Sequence, residues 1–186
     1  MSQHTIRKKP KMNKKFRFQL LHEWIIANYL PLKVLDVAGG KGLLSYLLNK
    51  SGYNSTVIDP ASEFRPMKYT DLISGERSKI SKEEQNNIPR IKNIFLEEMT
   101  KDYDLIVGIH AHGCNIKIID SCAKYSKDFI LMPCCVVDEP IEKVGGINWM
   151  NSLEEYARNK GFEIKKDTLN FKGQNKLIWG KINNEH

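Results

Sequence analysis

Val34-Leu35-Asp36-Val37-Ala38-Gly39-Gly40-Lys41-Gly42-Leu43-Leu44-Ser45-Tyr46-Leu47-Leu48 is the stretch whose reading decides the fold of this chain. An apolar run long enough for one buried strand passes into a turn of small residues and then into a helical apolar pattern. Ala38, Gly39 and Gly40 let the backbone turn sharply and let a ligand approach the main chain, which larger side chains would obstruct. The helix that follows points its free amides and its positive dipole end at whatever is held there. Ser55-Thr56-Val57-Ile58 then reads as a second strand, and it ends on Asp59, about twenty residues beyond the turn. A carboxylate at that place suits a ribose with two free hydroxyls. The strand, turn and helix together read as a cradle for a nucleotide-type cofactor.

Outward from this stretch, strands and helices alternate. Phe18, Leu20, Leu21, Trp24, Ile25 and Tyr29 recur at helical spacing before Pro31, and Leu43 to Lys50 is closed by Gly52. Between 63 and 93 the chain is polar and broken by Pro66 and Pro89. There the sequence predicts a helix around Tyr69 to Ser74 and a mobile segment from Arg77 to Asn87, of the kind that forms either a lid or a plain surface excursion. A short strand is expected at Asn93 to Phe95, a clear one at Asp104 to Ile109, a helix from about Ile116 to Tyr125, and a strand at Phe129 to Met132. Trp149 to Lys160 reads as an amphipathic helix. Phe162 to Leu169 and Lys176 to Lys181 read as a closing hairpin around Lys172-Gly173-Gln174. Near-continuous apolar strands belong to a parallel sheet covered on both faces. The expected fold class is therefore α/β, with one Rossmann-like domain over residues 18–186, a mostly parallel seven-stranded sheet and a C-terminal antiparallel hairpin.

Composition limits the alternatives. At 186 residues and 41% hydrophobic, the chain suits one domain with a sizeable core. It holds no apolar run near the length of a membrane span and no secretion-type N-terminus. Four cysteines, two of them adjacent, fit reduced thiols in a cytoplasmic or nuclear setting better than a disulfide framework. The net charge of +7 resides in residues 1–17, where Arg7, Lys8, Lys9, Lys11, Lys14, Lys15 and Arg17 stand with no acid, while the other 22 basic and 22 acidic residues cancel. This reads as a disordered basic tail, serving either solubility or approach to a polyanion such as RNA.

The order acidic residue, two positions, then Gly-Gly-x-Gly resembles motif I of the class I S-adenosylmethionine-dependent methyltransferases, and the likeness extends over nearly the whole chain. A narrower likeness is to a group of methyltransferase-like proteins that share a DVAGGKG-x-LS turn, here Asp36 to Ser45. They also share a strand ending in Thr-Val-Ile-Asp-Pro, here Thr56 to Pro60, a Gly-x-His, here Gly108 to His110, and a Pro-Cys-Cys, here Pro133 to Cys135. A more distant likeness is to methyltransferases with His-x-Cys-Gly and a later Cys-Cys, some of which methylate RNA 2′-hydroxyls. Ala38 departs from the general pattern, which has glycine there. The resemblance implies S-adenosyl-L-methionine as cofactor, held by Asp36, Ala38, Gly39, Gly40 and Gly42 around the methionine moiety, by Asp59 at the ribose and by Glu97 or Glu98 at the adenine. It implies an acceptor among RNA, small molecules or proteins, with RNA and in particular tRNA favoured. The competing reading is a methyltransferase-like module without catalysis that docks RNA or a protein partner. Neither the Asn/Asp-Pro-Pro-Tyr/Phe motif of base-amine methylation nor the Lys-Asp-Lys-Glu tetrad of common 2′-hydroxyl chemistry is evident.

Chemistry in open α/β sheets sits beyond the carboxyl ends of the strands, which directs attention to His110, His112 and Cys114 after one strand and to Cys134 and Cys135 after the next. Three readings stay open for them. His110 serves as a general base or orienter; or His110, His112, Cys134 and Cys135 form a metal site, although no standard ligand spacing is present; or all of them are packing and surface residues.

Overall fold

The computed structural model describes residues 10–61, 68–135, 138–141 and 149–182. Its elements in chain order are α1 (Arg17–Asn28), β1 (Lys33–Val37), α2 (Leu43–Lys50), β2 (Asn54–Ile58), β3 (Lys68–Thr70), β4 (Arg77–Lys79), α3 (Lys82–Asn86) and β5 (Arg90–Ile91). After these come β6 (Leu105–Ile109), α4 (Asn115–Tyr125), β7 (Asp128–Met132), α5 (Trp149–Asn159), β8 (Phe162–Thr168) and β9 (Lys176–Ile182). Seven strands form one sheet in the order β5-β2-β1-β6-β7-β9-β8. Five adjacent strands, β5, β2, β1, β6 and β7, run parallel, and β9 enters antiparallel between β7 and β8. This is the mostly parallel sheet with a closing hairpin that the apolar runs predict.

Both faces are covered because successive β-residues point to opposite sides. Val34 packs with Leu105, Val107 and Ile130 beneath Leu21 and Ile25 of α1 and Leu44 and Leu48 of α2. Leu35, Val37, Ile106, Phe129 and Leu131 face the other way, against Ile118, Ile119 and Cys122 of α4 and Leu153 and Ala157 of α5. Among the described residues no helix is long and apolar enough to cross a membrane.

The polar stretch departs from its sequence reading. Tyr69 lies in β3 of a β3–β4 hairpin rather than in a helix. Asp71 explains why: its side-chain oxygen accepts the amides of Ile73 (2.9 Å) and Ser74 (2.8 Å), and Gly75 closes the turn at φ +73°. The Arg77–Asn87 segment is built from β4 and α3, and α3 starts on a capping box in which Ser81 and Glu84 satisfy each other's amides. The edge strand is Arg90–Ile91 instead of Asn93–Phe95; it pairs with Val57 and Ile58, while Phe95 anchors in the core. The expected tail also changes at its end. Residues 1–9 lie outside the described residues, but Met12 pairs with Phe171, Lys14–Phe16 form a 3₁₀ turn capped by Asn13, and Arg17 opens α1.

Candidate functional site

The sheet order reverses between β1 and β6, so the chain leaves their carboxyl ends in opposite directions and opens a crevice. A cavity of about 510 Å³ lies there, lined by Arg17, Phe18, Asp36, Ala38, Gly39, Gly40, Lys41, Leu43, Lys68, Ile109 and His110. That volume falls in the range of small-molecule sites, about 300–1,000 Å³.

One wall is backbone. Ala38 donates its amide to Ile58 O (2.8 Å) and adopts φ +53°, a left-handed conformation that explains why glycine is usual at this place and that alanine occupies at some cost. A Cβ on Gly39 would stand 2.5 Å from Asp36 Oδ2, so no larger residue fits. Gly40, at φ +54°, has nothing within 4 Å of such a Cβ. Gly42, at φ +80°, has Val57 Cγ2 at 2.8 Å and Arg90 Nη2 at 3.2 Å from its virtual Cβ. It precedes the first turn of α2.

Two charged side chains hold this loop from outside. Asp59 Oδ2 accepts the Gly40 amide (2.9 Å), Asp59 Oδ1 accepts the Ala61 amide (2.8 Å), and Arg90 Nη2 donates to Gly40 O (2.8 Å). Asp59 thus clamps the loop as well as capping its own turn. It is not among the residues lining the cavity.

Asp36 is 1% exposed and sits behind the loop. Its carboxylate accepts the Ser45 hydroxyl (3.2 Å) in the first turn of α2, and Ser45 in turn accepts from Ser55 (2.8 Å). Burial pushes its pKa up to about 7, against the opposing pull of Ser45 and Arg90. With this carboxyl shifted toward its neutral form, the cations Arg17, Lys41 and Lys68 dominate the charge of the residues lining the cavity.

His110 forms the opposite wall. It follows β6 at φ +52°, and its amide donates to Met132 O (2.9 Å) at the end of β7. Its Nε2 lies 3.3 Å from Gln174 O. A carbonyl only accepts, so Nε2 carries the proton and Nδ1 keeps a lone pair. Burial, with help from Lys14, Arg17 and His112, lowers the His110 pKa against the raising effect of the Gln174 carbonyl. The ring therefore stays neutral at physiological pH.

The four His and Cys residues considered together divide into two groups. His110 belongs to the cavity, whereas His112, Cys134 and Cys135 lie together beside it, with their ligand atoms all within 4.8 Å. Glu97, given the adenine role by the resemblance, opens a 3₁₀ turn (Glu97–Asp102), pairs with Lys124 near the end of α4 (3.7 Å) and is not among the residues lining the cavity. Sequence reasoning missed Arg90, Arg17, Phe18 and Lys68. Arg17 carried only a tail signal, and Arg90 only its place after Pro89. Glu139 was missed as well; its carboxylate takes the amides of Asn115 (2.9 Å) and Ile116 (3.1 Å) and caps α4.

No protein-family model matches the chain. A probable tRNA (uracil-O(2)-)-methyltransferase from Caenorhabditis briggsae is 32% identical over 105 residues, covering 56% of this chain. The chain spans only 17% of that relative's length. Among solved structures, a ribosomal-protein methylase from Lactobacillus delbrueckii subsp. bulgaricus superposes with TM-score 0.57 at 17% identity, covering 93% of this chain and 81% of its own. The 1,6-didemethyltoxoflavin-N1-methyltransferase of Burkholderia thailandensis, solved with its substrate and S-adenosylhomocysteine, superposes with TM-score 0.58 at 12% identity, over 91% and 80% of the two chains. These likenesses, with the sheet order and its switch-point crevice, establish that the chain has the class I methyltransferase fold.

Proposed function

We propose that this chain is an S-adenosylmethionine-dependent methyltransferase whose acceptor is RNA, with tRNA the first to try. The observation that carries the reading is the Gly39–Gly42 loop, locked by Asp59 and Arg90 at the switch point and facing His110 across a cavity of about 510 Å³. The residues fit the cofactor. Gly39 leaves no room for a side chain and a Cβ on Gly40 would stand in open space, so a ligand can approach the loop closely there. Gly39, Gly40 and Lys41 would hold the methionine moiety, Asp36 would support it from behind, and Asp59 would meet the ribose with lone pairs left over from its two backbone bonds.

Bound in this way, S-adenosylmethionine supplies an electrophilic methyl group on a sulfonium. Positioning accounts for most of the rate, since orientation alone is worth up to about 7–11 kcal/mol. His110 takes the acceptor proton at Nδ1 while Gln174 O keeps Nε2–H oriented. Arg17, Lys41 and Lys68 give the cavity the sign that suits a phosphodiester-bearing acceptor, and Lys14 and Lys15 continue that charge along the surface from the basic N-terminal segment. The tRNA methyltransferase likeness supports the same choice.

Isothermal titration with S-adenosylmethionine and S-adenosylhomocysteine, with Asp59→Ala as control, tests the cofactor. Micromolar binding lost in the variant is expected. No heat at millimolar ligand would overturn the enzyme reading and favour a docking module. Transfer of labelled methyl from the donor to unmodified tRNA, abolished in His110→Ala with cofactor affinity retained, tests the acceptor and the base.

A further inference from the structure

We propose that His112, Cys134 and Cys135 form a binding site for a single thiophilic divalent cation of the zinc type, separate from the cofactor cavity. The site arises from strand register. In the parallel β6–β7 pair Ile109 stands opposite Met132, so the residues that follow each strand emerge side by side. After β6 the chain folds back at once, with the His112 amide donating to His110 O across one residue (3.0 Å). That turn swings the His112 ring over Pro133–Cys135. Cys134 Sγ lies 3.3 Å from His112 Nε2, Cys135 Sγ lies 3.1 Å from His112 Nδ1, and the two sulfurs are 3.6 Å apart.

The two sulfurs have the spacing of ligands to one ion, and each lies close to a different nitrogen of the His112 ring, one of which would serve as the third ligand. Zinc bonds of about 2.3 Å to sulfur and about 2.0 Å to nitrogen, set at tetrahedral angles, place sulfurs about 3.8 Å apart and nitrogen about 3.5 Å from sulfur. A sulfur separation of 3.6 Å is also well beyond the length of a disulfide, so both thiols are available as ligands. Two thiolates and a neutral imidazole make a borderline-soft donor set, which selects zinc over magnesium or calcium. Three protein ligands leave a fourth position, and because His112 is exposed that position is open to water or to a donor atom of a docked molecule. Binding releases two thiol protons, so affinity rises with pH. None of the three residues lines the cofactor cavity, so the proposal stands apart from the methyltransferase reading.

The test uses the full-length, freshly reduced, chelator-stripped protein and cobalt(II) as a spectroscopic probe, with zinc competition. The expected result is one equivalent of cobalt, with thiolate-to-metal charge-transfer bands and the intense visible bands of a tetrahedral ion, displaced by zinc. Cys134→Ser with Cys135→Ser, and separately His112→Ala, should weaken binding about 100-fold or more, while Cys114→Ser retains the full equivalent. Circular dichroism establishes that each variant is folded. The absence of thiolate bands at stoichiometric cobalt, or bands that survive the double serine variant, would overturn the site.

Discussion

The carboxyl ends of β1 and β2 and those of β6 and β7 lie next to one another on the same edge of the sheet, yet they are assembled in opposite ways. The first is made of main chain: the backbone from Ala38 to Lys41 lines the cavity, and Asp59 and Arg90 hold it through the Gly40 amide and carbonyl. The second is made of side chains, with His110, His112, Cys134 and Cys135 carried on two loops brought together by register. A backbone cradle tolerates almost no added atom, because its function is its shape. A side-chain cluster tolerates substitution without collapse and loses only its chemistry.

The sharpest way to break this contrast is Gly39→Ala. Its Cβ would meet Asp36 Oδ2 at 2.5 Å, so the variant should lose about 3 kcal/mol of stability, roughly 6–12 °C in Tm, together with cofactor binding. Gly40→Ala, whose Cβ meets open space, should lose binding with a much smaller fall in Tm. Equal melting points for the two would refute the steric account of this loop.

Asp36 provides a pH test of the same wall. Its pKa is raised from 3.8 to about 7, so over that interval the folded state holds a proton that the unfolded chain has released. Stability therefore falls as pH rises from about 4 to about 7 and levels off above. The difference in unfolding free energy between the natural protein and Asp36→Asn, followed by urea denaturation across that interval, isolates this contribution from the histidines. A flat difference would mean that the carboxylate is ionised throughout.

A smaller effect is expected for the clamp. Asp59→Ala leaves the amides of Gly40 and Ala61 without their acceptor and should cost about 1–3 kcal/mol, whereas Asp59→Asn, which keeps one side-chain oxygen, should recover part of the loss in chemical denaturation. Recovery of stability without recovery of cofactor affinity would separate the clamp from the ribose contact. The least change should come from the side-chain cluster in metal-free protein: Cys134→Ser with Cys135→Ser should shift stability by only about 0.5 kcal/mol, because these residues are half-buried and outside the core. Ala38→Gly should be comparably mild and stabilising, relieving the left-handed strain at φ +53°. A large loss in the double serine variant would show that the cluster is part of the packing after all.

The sequence by itself determined the alternation of strands and helices, the parallel sheet with its closing hairpin, and the Gly39–Gly42 cradle with Asp59 at the end of the next strand. All of these rest on neighbours a few residues apart, or on apolar periodicity that records burial directly. The hairpin at Lys68–Lys79 was obscured because Tyr69 to Ser74 satisfies a helical pattern until the Asp71 side chain captures the turn amides. The misplaced edge strand reflects a similar ambiguity, since Ile91, Ile94 and Phe95 are equally apolar and only the pairing with β2 selects the first. Only the tertiary structure decided that Arg90 reaches Gly40, that Arg17 and Lys68 join the cavity wall, that Glu97 faces Lys124, and that His112 meets two cysteines more than twenty residues away. Those contacts are set by the order and register of parallel strands, whose ends are far apart in the sequence. Sequence spacing holds no record of which ends come to lie side by side.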